Sequence, residues 1–334
     1  MLRALFLVKI MNNQENNNQL KITLPKGRIN DKVAEILKRI GISFSEKGRS
    51  YRPRCSDPML TTKLLKSQNI PKLVELGRHD CGFCGYDWIV EQEADVVELL
   101  DLGFDPVRIV AAIPEANSLE SYRKGNRKLV VASEYRRLTE EFIRKNDLDA
   151  LFLRAFGATE ALPPEDADII VDNTSSGATL RANRLKIVDE ILRSTTRFIC
   201  NREALNDPIK RKKLMEMTML LESTLQAKKR VLLEMNVDAS KLDALVENIP
   251  SMRSPTISKL YKDDAYAVKI AVCQDEVPTL IPELVRMGAR DILEYSVDKI
   301  VNASSKEEIE LAVGKQTNGE KSTSFKTSKE LVAP

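Results

Sequence analysis

The pattern of apolar and polar residues predicts alternating strands and helices over most of the chain. Residues 20–24 alternate as a strand does, and residues 25–28 form a turn. Apolar residues then recur at helical spacing over residues 33–40, with Asn30 as the predicted cap of the helix and Gly41 as its end. Further strands are predicted at residues 81–85, 129–132 and 168–171, and helices at residues 71–77, 87–93 and 139–145. This alternation is typical of open, mainly parallel α/β sheets.

The pattern changes from residue 207 onward. An Asp-Pro pair opens a long helix with an apolar face of leucine and methionine. Residues 230–300 then form a unit of their own, with elements in the order βαββαβ. Its strands are predicted at residues 231–235, 256–261, 266–272 and 292–295, and its helices at residues 240–246 and 277–287. This order predicts a ferredoxin-like fold, which by itself does not establish a function.

The sharpest local signal is a strand that runs into a hydroxyl-rich loop and then a helix. Residues 169–171 are apolar, Asp172 ends the strand, and small residues follow up to a helix that begins near Leu180. Small residues let backbone N–H groups converge on one anion, and a helix N-terminus adds its dipole. A carboxylate that accepts hydrogen bonds from sugar hydroxyls, followed by backbone N–H groups that bind an anion, is the combination that a ribose 5-phosphate needs. The alternative is an ordinary capped turn, and neither a Walker loop nor a Gly-x-Gly-x-x-Gly fingerprint is present.

Composition and charge narrow the possible classes of function. The chain has 52 basic and 49 acidic residues, a net charge of +3, and 5% aromatic residues, so we expect no nucleic-acid partner. No apolar run is long enough to span a bilayer, so we expect no membrane partner. Residues 4–8 are apolar, but Lys9 interrupts them and no small-residue cleavage site follows. We therefore expect a disordered extension over residues 1–19 rather than a signal peptide, and a cytoplasmic location.

Cysteine and histidine usage argues against a zinc site, against redox chemistry and against nucleophile–histidine catalysis. Five cysteines, an odd number, do not predict a disulfide framework. Cys81 and Cys84 form a C-x-x-C pair, but a zinc site needs two further ligands, and His79 is the only histidine. Two buried strand cysteines explain the pair equally well. One histidine also leaves few schemes that use it as general base.

Four stretches, in order, resemble motifs of the ATP phosphoribosyltransferase family over about residues 20–301. The first is Leu-Pro-Lys-Gly-Arg at residues 24–28, and the second spans residues 77–91. The third joins residues 157–160 to residues 167–180, and the fourth starts with Ser-Pro-Thr-Ile at residues 254–257. The resemblance implies an enzyme that transfers the phosphoribosyl group of phosphoribosyl pyrophosphate to N1 of ATP. It also implies a requirement for Mg²⁺, and inhibition by histidine, the end product of the pathway that this reaction begins.

The resemblance implies roles for individual residues of the first two thirds of the chain. The catalytic residues would be Lys26, Arg28, Glu160 and Asp172. The ribose 5-phosphate would be held by Asp172, Asn173, Thr174, Ser175, Ser176, Gly177, Ala178 and Thr179, named here the phosphate loop. Further substrate contacts would come from Gly27, Arg49, Asp87 and Glu91, for the last two of which a helix cap and an exposed acid remain the alternative. No protein ligand is assigned to Mg²⁺, which the substrate pyrophosphate would mainly carry.

The last domain resembles the regulatory domain of long-form members of the family. The resemblance places the histidine pocket at Asn236, Met252, Ser254, Thr256, Val272 and Asp291. An acid is common where Asn236 stands, and glycine is usual where Arg184 follows the phosphate loop. For residues 254–256 the alternative is a plain turn that enters a strand.

The family resemblance also implies the architecture and the partners. We expect an α/β catalytic core of two subdomains, like a type II periplasmic binding protein, and a ferredoxin-like regulatory domain. The expected bounds are residues 20–112 and 194–225 for catalytic subdomain I, 113–193 for subdomain II, 226–301 for the regulatory domain and 302–334 for a disordered tail. The expected partners are ATP, phosphoribosyl pyrophosphate and histidine, with AMP as a further ligand to test, and homodimers that assemble into homohexamers.

Two other functions are compatible with parts of this pattern. A solute-binding protein would share the two-subdomain core, but it predicts a working signal peptide and has no need of the phosphate loop. A phosphoribosyltransferase that acts on a free base or an amide would keep the loop but lack the Ser-Pro-Thr domain.

Overall fold

The computed structural model describes residues 19–45, 50–250, 252 and 254–301. The described chain divides into two compact units, one made mainly of residues 42–214 and the other mainly of residues from 215 onward. The predictions for residues 1–18 and 302–334, and the predicted role of Arg49, lie outside the described residues.

The first unit contains two five-stranded sheets. The strands of the first sheet are β1 (Leu20–Pro25), β4 (Leu60–Leu65), β5 (Cys81–Gly85), β6 (Val97–Asp101) and β12 (Thr196–Cys200), beside a small ribbon of β2 (Phe44–Ser45) and β3 (Arg54–Cys55). The strands of the second sheet are β7 (Val107–Pro114), β8 (Leu129–Ser133), β9 (Ala150–Arg154), β10 (Ile169–Thr174) and β11 (Leu185–Ser194). The helices are α1 (Arg28–Arg39), α2 (Ile70–Glu75), α3 (Tyr86–Glu91), α4 (Leu119–Lys124), α5 (Arg136–Lys145), α6 (Ala178–Ala182), α7 (Arg202–Asn206) and α8 (Pro208–Ala227). The ends of α1, from Ile36, and of α8, from Met215, are assigned to the second unit.

The first sheet has the strand order β4-β1-β5-β12-β6, and only β12 runs against the others. Its three central strands, β1, β5 and β12, are mainly buried, and Leu20, Ile22 and Phe83 have no exposed surface. The helix after β1 begins at Arg28, and the predicted cap at Asn30 is wrong. Gly27, at φ +82°, turns the chain directly into the helix, and its carbonyl accepts the N–H of Asn30.

The second sheet has the order β11-β7-β10-β8-β9, in which β8, β9 and β10 are parallel. Apolar side chains of its strands pack against α5, where Leu138 and Phe142 are buried with Tyr135. Three loops therefore leave the sheet at the carboxyl ends of its parallel strands. In open α/β sheets, ligands bind at this edge.

The chain passes between the two sheets twice, as expected for the two-subdomain core. The passages are residues 102–106 and Thr195, and they are joined by hydrogen bonds from Leu102 N to Thr196 O and from Thr196 N to Phe104 O, both 3.0 Å. The whole of β7 belongs to the second sheet, so the first passage comes before the boundary expected between residues 112 and 113. Apolar residues alone do not tell which of two sheets a strand joins. We call the parts built on the first and second sheets the first and second subdomain.

The second unit has the predicted βαββαβ order. Its strands are β13 (Arg230–Asp238), β14 (Thr256–Lys259), β15 (Ala265–Cys273) and β16 (Arg290–Ser296), and its helices are α9 (Leu242–Asn248) and α10 (Val277–Arg286). The sheet order β14-β15-β13-β16 is antiparallel throughout, which is the ferredoxin-like arrangement. Alternate residues of β13, such as Leu233 and Met235, pack against Leu245 and Leu284 of the two helices. On the opposite face, named here the open face, the described residues of β13 are half-buried and those of β14 are exposed.

Gly82 lies where two strands and a helix approach closely, and we expect Gly82→Ala to destabilise the first unit. An added Cβ would lie 2.1 Å from Thr23 Oγ1 and 2.9 Å from Ile70 Cγ2. Overpacking of this kind costs about 1–3 kcal/mol, so the Tm should fall by about 3–10 °C. Thermal unfolding followed by circular dichroism measures it. Gly125→Ala is the control, because its Cβ would meet only the carbonyl oxygens of Tyr122 and Ser121, at the ordinary contact distances of 3.4 and 3.6 Å. Equal Tm values for the two variants would contradict the close approach at Gly82.

Candidate active site

The loops at the carboxyl edge of the second sheet bring together residues that are far apart in sequence. Thr159 Oγ1 donates a hydrogen bond to Asp172 Oδ2. Gly157 N donates to Glu134 Oε1 at 2.9 Å, so the turn after β8 supports the loop that carries Glu160. Glu160 follows the fully buried Thr159 in a single turn of 3₁₀ helix. The predicted pair Glu160 and Asp172 therefore lies in one site.

Asp172 is held by several donors and sits in a partly buried position. Asn173 donates to its Oδ1 from the backbone N at 2.6 Å and from Nδ2 at 3.2 Å. Burial raises the pKa of the Asp172 carboxyl, the hydrogen bond from Thr159 lowers it, and the negative charges of Glu160 and Glu134 raise it further. The carboxylates of Glu134 and Glu160 therefore add to the negative potential at Asp172, at the end of β10.

The rest of the phosphate loop is a compact, exposed turn. Gly177, at φ +73°, lets the chain enter α6, and its N–H donates to Thr174 Oγ1 at 2.9 Å. Ser176 Oγ accepts the N–H of Ala178 at 3.3 Å. The side chains of Ser175, Ser176 and Thr179 are exposed at the carboxyl edge. Two loop amides are thus satisfied by the loop's own hydroxyls, an arrangement that fits a capped turn as well as a resting phosphate site.

Basic side chains gather at the carboxyl edge of the first sheet. Lys26 follows β1, its N–H donates to Leu65 O at 2.8 Å, and its Nζ lies 3.4 Å from the centre of the Tyr51 ring. Arg28 Nε lies 3.4 Å from Asp105 Oδ1, in the passage between the sheets. Because β1 pairs with β4, the exposed Lys66 stands next to Lys26 in the sheet edge. Sequence reasoning missed Lys66 because it did not predict β4.

Asp87 is buried at the junction of the two subdomains. It is 5% exposed. Its Oδ2 accepts a hydrogen bond from Tyr135 Oη at 2.8 Å, and its Oδ1 accepts one from Ser194 Oγ at 2.6 Å. Burial raises the pKa of the carboxyl, and these hydrogen bonds lower it. This geometry does not favour the direct substrate contact predicted for Asp87.

Glu91 caps a helix of the second subdomain. Its Oε1 accepts the N–H of Arg137 at 3.0 Å, and its Oε2 accepts the N–H of Leu138 at 3.1 Å. These are free donors in the first turn of α5, where a carboxylate is stabilising. The predicted substrate contact of Glu91 is not favoured either, because both oxygens are occupied by backbone amides of that helix.

Of the residues predicted for the histidine pocket, Asn236 and Thr256 lie on the open face of the regulatory sheet, and Val272 does not. Asn236 Nδ2 donates to Asp291 Oδ2 at 3.0 Å, and Thr256 stands opposite Lys269 on the neighbouring strand. Val272 is 3% exposed and packs among the core residues on the other face, so its predicted role is corrected. The preceding residue, Ala271, accepts the N–H of Met252 at 3.3 Å. Strand alternation places Ala271, not Val272, on the open face.

Comparison with known proteins identifies the family. Two family models match the chain: ATP phosphoribosyltransferase at residues 66–223, and HisG, C-terminal domain, at residues 227–299. The chain belongs to the ATP phosphoribosyltransferase family. Because the C-terminal domain is present, it is a long-form member.

The chain matches named relatives over nearly their whole length. The chain is 40% identical to the ATP phosphoribosyltransferase of Pelodictyon phaeoclathratiforme over 291 residues, 86% of this chain and 99% of the relative. It is 39% identical to that of Pelotomaculum thermopropionicum over 288 residues, 85% of this chain and 99% of the relative. A similar solved structure is the ATP phosphoribosyl transferase (HisG:HisZ) complex from Thermotoga maritima, with 26% identity, a TM-score of 0.56, and coverage of 62% of this chain and 99% of that one.

The chain is therefore an enzyme, and its substrates are ATP and phosphoribosyl pyrophosphate. It transfers the phosphoribosyl group to N1 of ATP and releases pyrophosphate, the first step of histidine biosynthesis, at which feedback inhibition is typical of the family. Enzymes of this family generally use a metal ion. Within the described residues, no helix has the length and apolar character needed to cross a bilayer.

Proposed function

We propose that the ribose of phosphoribosyl pyrophosphate binds at Asp172 and its 5-phosphate at the phosphate loop. The observation that carries this proposal is the position of Asp172, at a parallel strand's carboxyl end, with hydroxyl-bearing residues directly after it. A phosphate can replace the loop's own hydroxyls as the partner of its amides. The pyrophosphate would then extend toward the basic residues Lys26 and Arg28 of the first subdomain, with Lys66 as an addition to the predicted set.

The reaction needs positioning and charge more than a protein nucleophile. The lone pair of adenine N1 forms a bond to ribose C1 while the C1–O bond to pyrophosphate breaks, and the bonding electrons leave with pyrophosphate. Holding two polyanions in line removes most of the entropic cost. Positive charge develops on the ribose, and the carboxylates of Glu134, Glu160 and Asp172 supply a negative potential beside it. Lysine and arginine side chains stabilise the departing pyrophosphate.

We propose that Mg²⁺ enters with the substrate pyrophosphate. Within the residues that the structure describes, no three His, Cys, Asp or Glu side chains group as ligands for a metal ion. Phosphate oxygens are the hard ligands that Mg²⁺ prefers, and the ion keeps several waters when a protein offers few ligands. We therefore assign no step to a protein-bound metal.

Histidine is proposed as an inhibitor that binds the open face of the regulatory sheet. Asp291 lies beside Asn236, so an acid is present for the ligand's ammonium group although Asn236 itself is neutral. Thr256 offers a hydroxyl on β14, the edge strand that β15 separates from the strand of Asn236. We also propose a cytoplasmic enzyme of homodimers assembled into homohexamers, with AMP as a further ligand of the ATP site. Light scattering at several protein concentrations tests the assembly.

The test of this function is an absorbance assay near the phosphoribosyl-ATP band. It contains ATP, phosphoribosyl pyrophosphate, Mg²⁺ and a pyrophosphatase that removes the product inhibiting the forward reaction, with and without histidine. Product formation that histidine suppresses would support both the reaction and the regulatory site. Formation that histidine does not affect would contradict the regulatory proposal alone. Failure of folded protein to form product would contradict the assigned chemistry.

Thr256→Ala tests the regulatory pocket separately from catalysis. Loss of one hydroxyl contact should raise the histidine concentration for half-inhibition about 5- to 10-fold, with uninhibited activity unchanged. Thr279→Ala in α10 is the matched control, since its hydroxyl donates only locally, to Glu276 O at 2.9 Å. Inhibition curves of wild type and both variants give the answer, and an unaltered curve for Thr256→Ala would remove this residue from the pocket.

A further inference from the structure

A chain of hydrogen bonds runs from the passage between the subdomains to the ribose site. Ser194 Oγ donates to Asp87, whose other oxygen accepts from Tyr135 Oη at 2.8 Å. Asn173 Nδ2 donates to the same Tyr135 Oη at 3.3 Å and to Asp172 Oδ1 at 3.2 Å. The phenol thus links Asp87 of the first subdomain to Asn173, the residue next to Asp172. Tyr135 is not among the catalytic or substrate-binding residues that the family resemblance implies.

Tyr135 is fixed in place on every side that the structure describes. Its side chain is 1% exposed, and its ring stacks on Trp88 of the first subdomain with centres 4.5 Å apart and an angle of 23° between planes. Its backbone N–H donates to Ser133 Oγ at 2.8 Å. Helix α3, which supplies Trp88 and Asp87, also caps α5 through Glu91. A shift of the phenol would therefore disturb the ring stacking and the hydrogen bond that join it to helix α3 of the first subdomain.

The geometry points to Tyr135 as a positioning residue that sets the orientation of the Asp172 carboxylate through Asn173. This inference rests on the proposed function, in which Asp172 binds the ribose. Tyr135 Oη can accept from Asn173 because its own proton goes to Asp87. Without the phenol oxygen, the Asn173 amide loses the acceptor that fixes its rotamer, and Asp172 Oδ1 loses a fixed donor. Tyr135 does not touch the reacting atoms in this arrangement.

Tyr135→Phe tests the inference, with Tyr122→Phe as the matched control. Tyr122 lies in the same subdomain, accepts from Asn117 Nδ2 at 2.7 Å and donates to Asp168 O at 3.1 Å, near the opposite end of β10. We expect Tyr135→Phe to raise the KM for phosphoribosyl pyrophosphate about 10-fold, while the KM for ATP stays within about twofold. Tyr122→Phe should lower the Tm to a similar degree and leave both KM values unchanged.

Several results would overturn the inference. These are a wild-type KM for phosphoribosyl pyrophosphate in folded Tyr135→Phe, an equal rise for both substrates, or the same rise in Tyr122→Phe. If Tyr135→Phe does not fold, Ser194→Ala removes one donor from Asp87 with little change of volume, and it should raise the same KM about threefold. An unchanged KM for phosphoribosyl pyrophosphate in Ser194→Ala would then contradict a role for this chain of hydrogen bonds. If the use of phosphoribosyl pyrophosphate is impaired in Asp172→Asn but not in Tyr135→Phe, this inference fails while the ribose site stands. If it is impaired in neither variant, the ribose site itself fails.

Discussion

Replacement of Asp172 by Asn is expected to lower kcat/KM for phosphoribosyl pyrophosphate by about 100-fold or more. In the proposed arrangement a ribose hydroxyl donates to the carboxylate, whose negative charge stabilises the positive charge that develops on the ribose in the transition state. The amide keeps the volume but lacks the charge. Initial rates at saturating ATP, with the second substrate varied, measure the effect. The KM for ATP should change little, because adenine does not contact this side chain in the proposed arrangement.

The pH dependence provides an independent signature of the same carboxylate. Burial raises the pKa of Asp172, so it takes up a proton at a higher pH than an ordinary aspartate. Only the ionised form carries the charge that the transition state needs. As pH falls through this raised pKa, kcat/KM for phosphoribosyl pyrophosphate should fall in the wild type. The Asn variant should lack that acidic limb, while any limb due to the substrate's own phosphates remains in both.

Asp168→Asn is the control for Asp172→Asn. Asp168 immediately precedes β10, is ion-paired with Arg127, and accepts the N–H of Val130 at 2.9 Å. Its replacement should lower stability and leave the use of both substrates intact. A similar loss of kcat/KM in the two variants, or a wild-type value in Asp172→Asn, would remove Asp172 from the ribose site.

The sequence predicted the fold well where a local pattern determines it. The βαββαβ unit has strict alternation, as in β13, and glycine and proline mark its turns, so element order was enough. The strand order of the first sheet could not be predicted from local patterns. Strand β12 enters between β5 and β6 after the whole second subdomain, and Phe198 pairs with Phe83 across 115 residues of chain. No local periodicity specifies such a partner.

The candidate site divides along the same line. The strand–loop–helix structure of the phosphate loop was predicted correctly because strand, acid, small residues and helix follow one another directly, and its binding role stays a prediction. The role of Asp87 at the junction of the subdomains was not predicted, because its partners Tyr135 and Ser194 lie 48 and 107 residues away in sequence. An acid in a motif was interpreted as a substrate contact, whereas its burial against a second subdomain makes it part of the junction. The histidine pocket was predicted to include Val272, but Ala271 is the residue on the open face. An error of one residue is enough for this, because successive residues of a strand point to opposite faces.

Replacement of Lys26 by Met is the second change for which we expect a large effect. Its ammonium group stands over the exposed Tyr51 ring at the carboxyl edge of the first sheet, where no carboxylate among the described residues forms an ion pair with it. A cation in this position can donate to a pyrophosphate or triphosphate oxygen. Loss of one charge-assisted hydrogen bond should lower kcat/KM about 10- to 100-fold. The stem of Met still covers the ring, so the fold should be retained.

Ionic strength shows whether the lost interaction is electrostatic. Salt screens exposed charges, so the ratio of wild-type to variant kcat/KM should shrink between 0.05 and 0.5 M salt, over which the Debye length falls from about 14 to about 4 Å. Lys262→Met is the matched control, because Lys262 Nζ also stands over a tyrosine ring, 5.1 Å from the centre of Tyr261, in the regulatory domain. That variant should keep wild-type rates at both salt concentrations. A loss in Lys26→Met that does not depend on salt would indicate that Lys26 supports the fold of the β1–α1 turn and does not meet the phosphates.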